Sequence, residues 1–219
     1  YPQMPFDPAK ELAPITMLAS IPFVIVGHPS VQANTVGQLI ASAKSQPGKY
    51  SMGHGGNGTA MHLSTALFTQ MADVKLIEVP YRGSGPAAMD TLSGQIQLSI
   101  TDLAAALPHI KAGKLKVVGV VNEKRVAALP DAPTIGETIK GFGQAPWYAL
   151  FAPAGTPAPI VAQLQAEVAR ALEHKDVVEK LAAVGCEPFK GTAAQLGALV
   201  QADLPKWSRV VKDTGATVD

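Results

Sequence analysis

The residues Gly53-His54-Gly55-Gly56-Asn57-Gly58-Thr59 hold most of the chemistry this chain offers. A glycine-dense loop between a short strand and an amphipathic helix presents unpaired backbone N–H groups and the positive end of a helix dipole, and so favours an anion. Gly55 and Gly58 let the chain approach such an anion closely, while Asn57 can add an amide donor and Thr59 a hydroxyl. The same string also satisfies G-x-G-x-x-G, and Glu78 stands twenty residues beyond Gly58. That is the spacing of a dinucleotide site, so an NAD-binding oxidoreductase built on residues 53–58 is the rival. The preceding Pro47–Met52 is short and polar where a nucleotide fold needs a strongly apolar strand, which puts anion binding first. A third reading gives the glycines only a turn with positive φ.

Other candidates stand singly. Tyr81-Arg82-Gly83 follows the next strand, where Arg82 can pair with a carboxylate. Asp102 follows Thr101 at a second strand-to-helix junction. It serves there as a helix cap, or accepts from a ligand hydroxyl or ammonium while repelling a second carboxylate. His62 lies one turn into its helix and reads as packing. His54 and His109 lack His, Cys or carboxylate neighbours at ligand spacing, so no metal is expected. Arg82-Gly83-Ser84-Gly85 misses the first glycine of a nucleophile elbow, and the acids are scattered. No catalytic residue, cofactor or enzyme activity is expected. Eighteen Lys and Arg against 17 Asp and Glu, with no basic run, do not suit nucleic acid. The single Cys186 excludes an internal disulfide. Leu12–Gly27, the most apolar window, is broken by Pro14 and Pro22 and is too short to span a bilayer, so the chain is not expected to be membrane-embedded.

The elements that must position these residues alternate. Thr35 and Thr59 can cap helices whose apolar residues share a face, with Leu63 and Leu67 pointing inward in the second. Strands are expected at 50–52, 75–79, 95–100 and 115–121, with helices between them and one ending near Pro108. Strand–helix alternation argues for a parallel sheet with helices on its faces and ligands at the carboxyl ends of the strands. After Gly141 the pattern turns helical, with a last helix opened by Thr192 and Gln195 and kinked at Pro205. Extended segments near 15–26 and 142–152 suggest an inserted domain: 22–145 as one lobe, and 1–21 with 146–219 as a partial first lobe.

Several strings then occur in a telling order: Phe6-Asp7-Pro8-Ala9-Lys10-Glu11-Leu12-Ala13-Pro14, Val79-Pro80-Tyr81-Arg82-Gly83, Gly94-Gln95-Ile96-Gln97 and Pro108-His109-Ile110-Lys111-Ala112-Gly113-Lys114-Leu115. Ala128-Leu129-Pro130-Asp131-Ala132-Pro133-Thr134 and Trp147-Tyr148-Ala149-Leu150-Phe151-Ala152-Pro153-Ala154-Gly155-Thr156-Pro157 complete it. Over essentially its whole length the chain resembles the solute-binding proteins of tripartite tricarboxylate transporters, the Bordetella uptake (Bug) family. The resemblance implies a two-lobed α/β periplasmic binding protein of type II-like fold, with parallel-dominated sheets and two interlobe crossing strands. It implies closure on a small carboxylate or dicarboxylate in the periplasm and delivery to membrane permease subunits. A ligand-sensing subunit for a signalling receptor shares this binding chemistry and stays open. The site expected is Gly55, Asn57, Gly58, Thr59, Tyr81, Arg82 and Asp102, although the family usually carries lysine where Arg82 stands. Family members normally begin with a further part of the first lobe. With Tyr1 opening the chain, that lobe is expected to be incomplete at its amino end.

Overall fold

A computed structural model describes residues 5–144 and 146–217; the expected boundary at Ala145 and the residues Tyr1 to Met4 lie outside these. The elements begin with α1 (Pro8–Glu11), β1 (Leu12–Ser20), β2 (Phe23–Gly27), α2 (Val36–Ser45), β3 (Ser51–His54) and α3 (Ala60–Ala72). They continue with β4 (Ile77–Pro80), α4 (Ser84–Ser93), β5 (Leu98–Asp102), α5 (Leu103–Lys111), β6 (Lys116–Val120) and a 3-10 turn at Ile135–Glu137. The last are β7 (Trp147–Pro153), α6 (Ala158–Ala171), α7 (Lys175–Ala183), β8 (Glu187–Pro188) and α8 (Ala193–Thr214). Contacts divide the chain into two compact units, Tyr1–Ile21 with Trp147–Val210, and Pro22–Pro146 with Val211–Asp219.

The first unit holds a three-stranded sheet in the order β7-β1-β8, antiparallel throughout. The β1–β7 register slips between Pro14 and Thr16, where proline has no N–H to give the ladder. Trp147 Nε1 donates to Asp203 Oδ2 at 2.9 Å, tying β7 to α8. α8 continues through Pro205 to Thr214.

The second unit holds a five-stranded sheet in the order β4-β3-β5-β2-β6. β3 is parallel to β4 and β5, and β2 is antiparallel to β5 and β6. Four strands therefore run one way, as the strand–helix alternation requires, and β2 alone runs against them. The expectation of parallel-dominated sheets is corrected to mixed: β2 follows β1 across only Ile21 and Pro22, with no crossover helix to turn it round. Every residue of β2 is buried, as befits a strand covered on both faces. Val24 and Val26 pack with Leu103, Ala106, Leu107, Leu115, Val120 and Val126 on one face.

Helix α3 departs from its sequence pattern. Leu63 and Leu67 are only half-buried, whereas Ser64, Thr65 and Phe68 are buried. The hydroxyls tolerate burial because Ser64 Oγ donates to Ala60 O at 2.6 Å and Thr65 Oγ1 to Met61 O at 3.0 Å. Gln144 lies against the same helix, with its Oε1 2.7 Å from Ser64 Oγ. α5 runs past Pro108 to Lys111, since proline removes only its own donor and its carbonyl still accepts from Ala112.

Phe68 meets Phe142 edge-on at 6.3 Å between centroids and is fully buried. Phe68→Ala is expected to cost about 3–5 kcal/mol in urea unfolding. Leu63→Ala, the more damaging change on sequence pattern alone, should cost about 1 kcal/mol or less.

Candidate functional site

Three neighbouring strands, β4, β3 and β5, end on one edge of the sheet, and each feeds a helix there. The helices α3, α4 and α5 are capped by Thr59, Gly83 and Asp102 respectively. Their positive ends gather on that edge, which suits it to an anion.

The glycine loop is laced together and to its neighbour. Gly56 and Gly58 have φ of 114° and 75°, values that favour glycine. A Cβ on Gly56 would also lie 2.9 Å from Tyr81 O, a backbone contact that cannot yield. Tyr81 N–H donates to His54 O at 2.9 Å and Gly83 N–H to Gly55 O at 3.2 Å, so the turn after β4 is stitched to the loop. Gly53 packs tightly, its missing Cβ space filled by Ile96, Tyr81 and Ala87.

Most of the loop's own donors are used internally. Gly56 N–H donates to His54 Nδ1 at 3.3 Å and Gly58 N–H to His62 Nδ1 at 3.0 Å. Thr59 gives both its N–H and its hydroxyl to Gly56 O, and its Oγ1 accepts from His62 N–H at 3.3 Å. The amides of Ala60 and Met61 remain as first-turn donors without intrahelical acceptors. At α4, Pro86 has no N–H, which leaves the amides of Ser84 and Gly85 in the same position. The first-turn amides without intrahelical acceptors thus lie one step later than the glycines expected to face an anion. The same bonds weaken the dinucleotide reading, because two of the amides that would cradle a pyrophosphate are already engaged.

The expected residues separate into two groups. Gly55, Thr59 and the backbone of Tyr81 come together through the lacing, and Asp102 joins them through Ser84, whose hydroxyl donates to Asp102 Oδ2. Asp102 Oδ1 meanwhile accepts from Ala105 N–H at 2.8 Å, the cap role. The Tyr81 hydroxyl turns to Asp90 Oδ2 at 2.8 Å; burial and that carboxylate push its pKa up to about 12. Arg82 is exposed and forms no ion pair among the described residues, and Asn57 is exposed in the loop. Sequence reasoning missed Ser84, whose only signal was its place at the first helical position after a glycine turn.

It also missed the pairing of His54 and His62. Their rings stack at 4.7 Å between centroids, 15° apart. Glu78 Oε2 lies 3.8 Å from His54 Nε2 and 3.5 Å from His62 Nε2. Burial, then the neighbouring His62, lowers the His54 pKa to about 4; burial lowers His62 and raises Glu78. The three offer donor atoms within 4.8 Å of one another, as a metal would need. A neutral imidazole that ligates through one nitrogen donates an N–H from the other, however, and here both Nδ1 atoms accept instead. As hydrogen-bonded, the set does not fit a metal. Among the described residues no helix is long and apolar enough to cross a membrane.

A family model described as the tripartite tricarboxylate transporter family receptor matches residues 1–216. BugT of Bordetella pertussis is 33% identical over 216 residues, covering 98% of this chain, which spans 66% of the BugT length. A similar protein of Pseudomonas sp. strain P51 is 33% identical, and this chain spans 63% of it. Among solved structures, R. palustris Rpa4515 with adipate superposes with a TM-score of 0.91 at 33% identity, covering 99% of this chain and 73% of that one. MatC of Rhodopseudomonas palustris with bound malate gives 0.87 at 29% identity, covering 96% and 73%.

The buried histidine carries a stability prediction. The unfolded chain takes up a proton at His54 near 6.5, and the native state refuses it until about 4. Stability is therefore full above the ordinary histidine range and falls as pH drops between those values, by about 1.4 kcal/mol per pH unit and roughly 3 kcal/mol in all. Glu78, raised in the native state, works in the opposite sense and softens the fall. Urea unfolding across this range checks the slope, and His54→Asn, which accepts but does not titrate, should flatten it.

Proposed function

The chain belongs to the tripartite tricarboxylate transporter receptor family, and from that premise we propose that it captures a small carboxylate in the periplasm and presents it to the membrane permease. The observation that carries this is the dicarboxylate chemistry of the solved neighbours: adipate in Rpa4515 and malate in MatC, on folds that superpose over nearly this entire chain. The edge geometry supports it. One ligand carboxylate accepts from the amides of Ala60 and Met61, at about 1.5–3 kcal/mol for each charge-assisted bond, with the α3 dipole adding about 0.3–1 kcal/mol. Gly55, Gly58, Asn57 and Thr59 shape the approach. Arg82 is free to meet a second carboxylate, and Tyr81 fixes the turn that carries it. Asp102, engaged by Ser84 and Ala105, disfavours a second carboxylate placed close to it. Capture proceeds by closure of two lobes, residues 22–145 against 1–21 with 146–219, in which the ligand selects the closed state.

Thermal-shift measurements with malate, adipate, NAD and NADP test the class of ligand. Stabilisation by malate or adipate is expected, and stabilisation by a nucleotide alone would overturn the proposal. Ala60→Pro tests the contact itself: Thr59 already has the extended φ and ψ that proline demands of its predecessor, so the helix survives while one donor disappears. Carboxylate affinity should fall roughly 10- to 100-fold. Asp102→Asn, which keeps the cap acceptor but not the charge, should shift preference from mono- towards dicarboxylates.

A further inference from the structure

The carboxylate-binding reading leaves two buried imidazoles unused. His54 ends β3 at 1% exposure, and His62 in the first turn of α3 is 8% exposed. An imidazole nitrogen accepts a hydrogen bond only while it carries no proton. With both Nδ1 atoms accepting glycine amides, each neutral ring bears its proton on Nε2, directed towards Glu78. Among the described residues, Glu78 is the charged group facing the pair from β4, while β3 and α3 contribute the two imidazoles themselves. The turn beyond β4 contributes Tyr81, whose hydroxyl is held by Asp90, and the exposed Arg82.

We propose that His54 and His62 are positioning residues that lock the glycine loop by accepting the Gly56 and Gly58 amides, and that protonation at Nδ1 unlocks the loop and weakens carboxylate capture in acid. The proposal rests on the carboxylate-binding reading for its ligand and on the loop geometry for its mechanism. A protonated Nδ1 would set two donors face to face at the 3.0 Å that separates Gly58 N from His62 Nδ1, so ring or loop must move. Glu78 then holds the imidazolium. Movement passes to Thr59, which grips Gly56 O through both its amide and its hydroxyl, and from Thr59 to the donors at Ala60 and Met61.

The test uses the full chain in two arms. Nitrogen-15 NMR of the free protein reads the tautomer of each ring and the Gly56 and Gly58 amide shifts through a pH titration. Calorimetric titration with malate and adipate is run from about pH 7.5 to about pH 4, where native His54 takes up its proton. The Nε2–H tautomer is expected, with glycine shifts that follow the histidine titration, and affinity should fall roughly three- to tenfold over that interval. His62→Asn places Oδ1 where Nδ1 stood and should bind as tightly at about pH 7.5 with a shallower pH dependence, the remainder belonging to His54 and to the ligand's own carboxylates. His62→Leu, checked for folding by circular dichroism, should bind weakly at every pH, and if it does not fold His62→Asn carries the comparison with wild type. An Nδ1–H tautomer, flat wild-type affinity, or a pH dependence as steep in His62→Asn as in wild type would overturn the lock. If neither dicarboxylate binds at any pH, the carboxylate reading fails instead. The NMR arm still decides the lock, since glycine shifts indifferent to histidine protonation would sink it.

Discussion

Every backbone amide at the end of a parallel strand must find an acceptor, and at the carboxyl edge of β4-β3-β5 the acceptors found decide what the edge can bind. Among them are two histidine nitrogens, the Thr59 hydroxyl, the Asp102 carboxylate and the carbonyls of His54, Gly55 and Gly56. These bonds hold a chain segment that has no side-chain bulk of its own to pack. They also set the sharing between structure and function: amides bonded within the loop shape it, and those of the first helical turns of α3 and α4 are left to face outward.

Charge at this edge is arranged around that accounting. Three helix amino ends make the edge positive in potential, and Asp102 is the carboxylate built into it. Its two oxygens are both engaged, by Ser84 and by Ala105, beside those three helix ends. The buried imidazoles accept from the same loop, with Glu78 on the edge strand beside them.

The glycine spacing shows how one pattern can serve unlike ends. A dinucleotide loop and this loop both need positive φ and close backbone approach, so both are written with glycines at similar intervals. Gly53 is set by packing against Ile96, Tyr81 and Ala87, Gly56 by its φ and by Tyr81 O, and Gly58 by its φ. Glu78, at the nucleotide-like distance, faces two histidines. The motif reports backbone shape, and the partners of its amides report chemistry.

Much was legible in the chain itself. Local signals were strong where one residue satisfies one backbone group, so Thr35, Thr59 and Asp102 cap their helices as their types and positions imply. Strand–helix alternation was sufficient to orient β3, β4, β5 and β6 alike, because a crossover helix permits only that sense. Family membership was readable because many short strings kept a common order. Tertiary structure alone decided the rest, and in each case the reason is a partner distant in sequence. β2 runs against its neighbours because β1 delivers it directly, and Ser64 and Thr65 are buried in place of Leu63 and Leu67 because helix carbonyls satisfy their hydroxyls. Ser84 meets Asp102 across 18 residues, and Glu78 meets His54 and His62 only once β4 lies beside β3. Sequence spacing determines which backbone groups need partners; only the packed sheet determines which partners arrive.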